Sequence, residues 1–394
     1  MLRILTLTTL FPNEVQPNHG IFVLNRLSHL VASRAVSATV VAPVPWVPAL
    51  ARRGRHGRLR AVPPTERVAG LEVLHPRYPV IPRVGMSVAP WLLYAALAPL
   101  VRRLIRGEPR FDLIDAHYFY PDGVAAVWLG RALDTPVVVT GRGTDLNLIP
   151  RFALPRRLIR DAAERAAGLI TVCQALKDDL ARLGVAPERI TVLRNGVDLE
   201  RFRPGDRTAA RARFGLDPHR RTLGSVGHLI ERKGHHTVIQ ALAHHPDTDL
   251  VIAGEGPDRA VLEALVDRLG LRARVRFLGA LSQADLVGLY GALDALVLAS
   301  SREGWANVLL ESMACGTPVI ATPVGGTPEV VTAPAAGVLA RGLDSAALVE
   351  AIGSLFARPI DRAATRHFAE GFGWDTTTRG QIALFRAIAD GRAR

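Results

Sequence analysis

The sequence predicts an α/β protein of two Rossmann-like domains, on three observations. Short Val/Ile/Leu-rich runs alternate with longer helical patterns along the chain. The alternation occurs as two series, separated by a polar, turn-rich stretch at Arg194–Arg207 (RNGVDLERFRPGDR). The length of 394 residues, 48% of them hydrophobic, exceeds one ordinary core and can fill two. Strands that read as unbroken apolar runs belong to parallel sheets covered on both faces.

In the first series, strands are expected at Arg3–Leu10, Ala38–Pro43, Leu71–His75, Leu113–His117, Pro136–Thr140, Leu169–Val172 and Thr191–Leu193. Helical patterns separate most of them, for example Phe22–Ser33, Pro121–Ala132 and Ala175–Leu183. The second series places strands at Leu223–Val226, Leu250–Ala253, Val275–Phe277, Ala295–Leu298 and Pro318–Ala321. The segment Gly85–Gly107 is apolar, then basic, and is interrupted by Pro90 and Pro99. It reads as an amphipathic helix of the first domain rather than a span of about 20 apolar residues, with a lipid-touching surface helix left open. The tail FGWDTTTRGQIALFRAIADGRAR reads as a loop and then a helix with apolar Ile382, Leu384, Phe385 and Ile388.

Composition narrows the function. Cys173 and Cys315 are the only cysteines, so no disulfide framework is expected, and reduced buried thiols suit a cytoplasmic protein. The opening MLRILTLTTLFPNE reads as strand and loop, without the features of a signal peptide. The formal net charge of +13 is uneven: residues 1–195 hold 26 Arg and Lys against 14 Asp and Glu, and residues 196–394 hold 23 against 22. A basic first half attracts phosphates, anionic lipid or nucleic acid. RNA-binding motifs and interleaved aromatics are missing from the sequence, so nucleic acid is not the expected partner. Nor does G-x-G-x-x-G follow the first strand, which speaks against a dinucleotide oxidoreductase.

Two carboxylates in SSREGWANVLLESMACGTPVIATPVGGTPEVV carry the functional reading. Glu303 falls in the loop where a buried strand ends, and Glu311 follows in the next helix with seven residues between them. Ligands of open α/β sheets collect at the carboxyl ends of strands, and a helix N-terminus there offers unpaired N–H groups. Acids separated in this way cannot share one proton. They can each accept hydrogen bonds from hydroxyls at the two ends of an elongated ligand, such as a sugar nucleotide.

EGWANVLLE resembles the E-x7-E element of retaining GT-B glycosyltransferases, family 4 especially. FPNEVQPNHGIFV, RNGVDLERFRP, VGHLIERKGHHTVIQAL, IAGEGPDRAVLE, VRFLGAL and GTPVIATPVGGTPEVV resemble further family segments in the expected order. FPN…YFYPDG…VTGRGTDLN looks like the teichuronic-acid and exopolysaccharide branch. The resemblance implies a GT-B fold, with two Rossmann-like domains facing a central cleft. Residues 1–195 would bind the acceptor and 196–374 the nucleotide sugar, while 375–394 would form a helix crossing back to the first domain. It implies retaining hexosyl transfer from a nucleotide sugar, UDP-linked in preference to GDP-linked, to a glycan or lipid-linked hydroxyl in surface polysaccharide biosynthesis. The nucleotide sugar is a co-substrate; no cofactor and no metal is expected.

By the same resemblance Glu303 holds donor-sugar hydroxyls, Glu311 holds the ribose, and Lys233 neutralises the diphosphate. Gly304, Trp305, Ala306, Asn307 and Val308 supply backbone N–H groups, and Gly20 lets the first loop approach the donor. The chain departs from the family pattern twice. His228 stands where Arg is usual, with Arg232 able to supply part of the missing charge. Arg142 replaces a His near the donor sugar and stays protonated, so it cannot be a general base but can bind a phosphate or a sugar carboxylate at the catalytic site. Asp145 orients it or the acceptor, or caps its turn. His117 and Asp122 line an acceptor site or are satisfied in the core; Glu329 caps its helix or reaches the donor. The rival readings are a nucleotide-sugar epimerase or hydrolase and a basic nucleic-acid-binding protein. The charge asymmetry adds an expectation of peripheral contact with an anionic membrane, through Arg52, Arg53, Arg55, Arg58 and Arg60 and through Arg102–Arg106.

Overall fold

A computed structural model describes residues 1–46, 55–81, 85–106 and 110–391. The chain forms two compact units, Met1–Asn195 together with Asp375–Arg394, and Gly196–Trp374.

Unit 1 contains β1 (Leu2–Leu7), β2 (Val36–Val41), β3 (Val44–Trp46), β4 (Thr65–Val68), β5 (Leu71–Leu74), β6 (Arg77–Pro79), β7 (Leu113–His117), β8 (Val137–Gly141), β9 (Gly168–Thr171) and β10 (Ile190–Val192). Eight of them form a sheet in the order β10-β9-β8-β7-β1-β2-β5-β4, and β3 pairs with β6 separately. Pairing in the large sheet is parallel, as in Ile4↔Leu113 and Leu2↔Val36, except at the β4–β5 edge. That edge strand, TERV, escaped the sequence reading because its charged, half-exposed residues carry no apolar run. β3 and β6 escaped for a related reason: each contains a proline, which a two-stranded edge pair tolerates. β1 stops at Leu7, short of the expected Leu10, because Leu10 N–H turns back to the Thr8 hydroxyl at 3.0 Å.

The last helix, Trp374–Ala389, completes this unit's core. Phe385 and Ile388 are buried among Ile4, Leu27, Leu113, Val138 and Ile170. Gly168 makes room for it, since a Cβ there would stand 2.7 Å from Ile388 Cδ1.

The Gly85–Leu104 helix runs unbroken through Pro90 and Pro99. It buries Leu93, Leu97 and Val101 at four-residue spacing, and Trp91 lies 5.2 Å from Trp128 of the Val124–Leu133 helix. Among the described residues it is the one helix long and apolar enough to cross a membrane, with a mean hydropathy of 1.2. Its buried stripe shows the amphipathic packing read from the sequence.

Unit 2 contains β11 (Arg221–Val226), β12 (Thr248–Ala253), β13 (Val275–Gly279), β14 (Ala295–Leu298), β15 (Val319–Ala321) and β16 (Gly337–Leu339). They form one parallel sheet in the order β13-β12-β11-β14-β15-β16. The helices His235–Leu242 and Ser345–Phe356 cover it with Val238, Leu242, Leu348 and Ile352. The chain order reverses between β11 and β14, which makes the carboxyl ends of these two strands a topological switch point.

Candidate functional site

The switch point of unit 2 brings the loops after β11 and β14 together, because those strands are hydrogen-bonded neighbours. The Ser301 N–H donates to the Arg232 carbonyl at 2.9 Å. Between them Gly234 has φ +69°, and a Cβ on it would lie 2.0 Å from the Ala299 carbonyl oxygen, so no other residue fits the turn. The result is a shared cluster on Glu303. Its Oε1 accepts from Lys233 Nζ at 2.6 Å and from the Ser300 hydroxyl at 2.7 Å. Arg232 Nη1 stands 3.6 Å from the same oxygen and donates to the Arg302 carbonyl at 2.6 Å. Burial alone would raise the Glu303 pKa; the Lys233 ammonium, Arg232 and the Ser300 hydroxyl outweigh it and hold the carboxylate below its usual range.

The backbone under Glu303 is fixed by GGT. Gly325 leaves no room for a side chain, its Cβ position being 2.1 Å from the Glu303 carbonyl oxygen, and the Gly326 N–H donates to Gly304 O at 2.9 Å. Trp305 and Ala306 are buried, and Asn307 and Val308 open the Asn307–Ala314 helix half-exposed. Glu311 lies in the second turn of that helix, buried, with Oε2 accepting from the Tyr290 hydroxyl at 3.1 Å. Burial pushes its pKa up to about 7 against the smaller lowering effects of Tyr290 and Arg201. His228, just beyond β11, is exposed. Glu329 sits in the first turn of the Thr327–Val330 helix.

In unit 1 a second polar cluster forms at the carboxyl ends of β7 and β8. His117 Nδ1 lies 2.6 Å from Arg142 Nη2, and its Nε2 lies 3.2 Å from Asp115 Oδ2. Guanidinium can only donate, so Nδ1 accepts, and the neutral ring carries its proton on Nε2, toward Asp115. Burial pushes His117 down to about 4, with the Asp115 attraction partly opposing it. Arg142 also donates to Asn195 Oδ1 at 3.0 Å and is only 8% exposed. Arg26 is fully enclosed; it donates to Gln381 Oε1 at 2.7 Å and to the Leu193 carbonyl at 2.9 Å. Burial brings Arg26 down to about 10. Asp115, which burial alone would raise, is held low by His117, Arg26 and Arg142.

Asp145 caps its turn, one of the roles left open by the sequence. Its carboxylate accepts the backbone N–H groups of Phe119 (2.8 Å), Arg142 (3.1 Å) and Gly143 (2.7 Å), so it fixes the turn after β8. Asp122 accepts both the N–H and the hydroxyl of Thr9, at 3.0 and 2.9 Å. His117, Arg142, Asp145 and Asp122 are thus bound to their own unit's framework. Gly20, at φ +67°, is required by local packing: a Cβ would lie 2.2 Å from the Leu10 carbonyl.

Asp115, Arg26, Asn195, Gln381, Ser300 and Tyr290 escaped the sequence reading. Two of them left a signal, namely a carboxylate inside the apolar run LIDAH and an arginine on the buried stripe of the Ile21–Ala32 helix. Among the described residues no group of three His, Cys, Asp or Glu is disposed to hold a metal ion.

Two α/β units, one of them with an acid pair and a lysine at its switch point, define a class. The family described as Glycosyl transferases group 1 matches residues 206–371, and Glycosyltransferase Family 4 matches residues 23–201. The chain belongs to the GT-B glycosyltransferases of this group 1 and family 4 type. It is similar to the D-inositol 3-phosphate glycosyltransferases of Mycobacterium bovis and Mycobacterium tuberculosis, 32% identical over 326 residues. Those matches cover 75% of this chain and 66% of the relatives, just under two thirds of their length. Among solved structures it resembles sucrose-phosphate synthase from Thermosynechococcus elongatus, with a TM-score of 0.80, 21% identity, and 99% and 100% of the two chains covered. It also resembles Anabaena HepE in complex with UDP and glucose, with a TM-score of 0.75, 21% identity, and 98% and 100% covered.

Proposed function

We propose that this protein is a retaining hexosyltransferase that uses a nucleotide sugar, UDP-linked in preference to GDP-linked, and a glycan or lipid-linked hydroxyl acceptor. One observation carries the reading: Lys233 and Glu303 meet at 2.6 Å at the unit 2 switch point, and Glu311 lies on the helix that follows. Glu303 and Glu311 then accept hydroxyls of the donor sugar and the ribose. The Lys233 ammonium, with Arg232, meets the charge that grows on the departing diphosphate. His228 is exposed beside them and donates a single hydrogen bond where the family pattern has Arg.

Transfer proceeds on one face of the sugar, the leaving phosphate helping to take the acceptor proton, and no metal is required. The protein contributes orientation and fixed charge. In unit 1, His117, Arg142 and Asp145 act as positioning residues that hold the carboxyl edge of its sheet. HepE bound to UDP supports a uridine donor, and the inositol-phosphate relatives support a hydroxylated, anionic acceptor. The setting is surface polysaccharide synthesis of the exopolysaccharide or teichuronic-acid kind, in the cytoplasm against an anionic membrane.

A thermal-shift series with UDP, GDP, ADP and their glucose conjugates tests the donor. The largest shift is expected with the uridine compounds. Anomeric configuration of the product, read by NMR, tests retention, and an inverted product would refute it. Release of free or epimerised hexose with no transfer to any added acceptor would replace the transferase reading with a hydrolase or epimerase.

A further inference from the structure

We infer that unit 1 docks on an anionic bilayer through the carboxyl edge of its sheet, where aromatic and aliphatic side chains stand exposed beside an arginine-rich helix start. The inference rests on the proposed membrane setting and relocates the contact. The sequence directed attention to the basic run at 51–60 and to Arg102–Arg106. Arg52, Arg53 and the Arg55 side chain lie outside the described residues, and Arg58 and Arg60 are exposed. Arg102 lies sixteen residues from Met86 along one helix, roughly 24 Å away, toward the opposite edge of the sheet.

The topology places the apolar residues together. The helices Gly85–Leu104 and Ala153–Arg165 each run back along the sheet to feed the next parallel strand, β7 and β9, so both begin at the carboxyl edge. They pack on each other and on the Val124–Leu133 helix. The first helix begins with Met86 (39% exposed) and Trp91 (45%), just after Ile81 (43%). It also packs on β6, whose Pro79 pairs with Trp46, itself 49% exposed. The second begins with Phe152 (49%) and Leu154 (41%). Large apolar side chains are ordinarily exposed singly; a run of them along one rim marks a contact surface.

Charge selects the partner. Residues 149–160 hold Arg151, Arg156, Arg157 and Arg160, all exposed, and no acid; the helix Gly85–Leu104 contains no acid either. Exposed tryptophans with neighbouring arginines fit the interface of an anionic membrane, where indole and guanidinium sit at headgroup depth. A neutral glycan would not favour the arginines, and a second copy of this basic unit would repel it. The same edge carries the His117–Arg142 cluster, so this docking brings a lipid-linked acceptor to the edge of unit 1 proposed to receive it.

The full chain is sedimented with vesicles of 30% phosphatidylglycerol in phosphatidylcholine and with pure phosphatidylcholine, while a UDP thermal shift is recorded on the same samples. Binding is expected only to the anionic vesicles. It should fall about tenfold or more in Arg156→Glu/Arg157→Glu and in Trp91→Ser/Phe152→Ser, and remain with Arg102→Glu/Arg103→Glu. The UDP shift should stay at the wild-type value in every variant. Equal binding to neutral vesicles, no vesicle binding, or loss only with Arg102→Glu/Arg103→Glu overturns the inference. So does a dimer in sedimentation velocity that Trp91→Ser/Phe152→Ser abolishes. Absence of any UDP shift, with vesicle binding intact, instead refutes the donor reading and leaves the surface standing.

Discussion

Glu311 is an acid held where ionisation is costly. Its folded pKa of about 7 lies above the ordinary 4.5, so between these values the folded state binds more protons than the unfolded one. Stability from this group is therefore lost as pH rises from 4.5 to 7, and the full cost remains above 7. Glu311→Gln should match wild type in denaturant melts at pH 4 and exceed it at pH 8, by up to about 3 kcal/mol. The same variant should bind UDP roughly tenfold more weakly in calorimetry, since a charged acceptor is worth about 1.5–3 kcal/mol. Unchanged affinity would remove Glu311 from the ribose. Lys233 has the converse profile, being a donor whose loss leaves Glu303 with Ser300 and the more distant Arg232. Lys233→Ala should lower kcat ten- to a hundredfold, a larger effect than its cost to stability from the broken pair with Glu303. Wild-type turnover in that variant would dismiss the diphosphate role.

At the scale of elements, the turn after β8 and the final helix each depend on a single buried side chain, Asp145 and Phe385. Asp145→Ala leaves three backbone N–H groups without their carboxylate in a buried turn, so about 3 kcal/mol or more should be lost. Asp145→Asn keeps one acceptor oxygen and should lose less. Near-equal melting of the two variants would show that the carboxylate is not what holds the turn. The Trp374–Ala389 helix contributes Phe385 to the core and Gln381 to Arg26. Phe385→Ala should destabilise unit 1 by about 3–5 kcal/mol, read as a lowered denaturation midpoint. Strands buried on both faces were legible in the sequence: β7 and β14 begin and end where their runs do, at Leu113–His117 and Ala295–Leu298. β4 was not, because an edge strand needs no apolar run.

For the whole molecule, the two units have separate cores, one of which includes the chain's last helix. Calorimetric unfolding should therefore resolve ligand effects by unit. UDP at a hundred times its Kd should stabilise the transition of unit 2 by about 2.7 kcal/mol. Phe385→Ala should move that of unit 1. A nucleotide that shifts only the unit 1 transition would contradict the donor assignment.

By itself the sequence determined the α/β class, the two series of strands and the order of the family segments. Apolar runs, polar turns and spaced acids are local features, and composition writes them directly. The tertiary structure decided which polar groups meet. Lys233 and Glu303 are 70 positions apart and become partners only because β11 and β14 pair. Arg26 and Gln381, 355 positions apart, meet because the chain's last helix packs into the first sheet's core. Such pairs leave no local pattern, since burial and hydrogen-bond geometry arise only once strands from distant parts of the chain lie side by side.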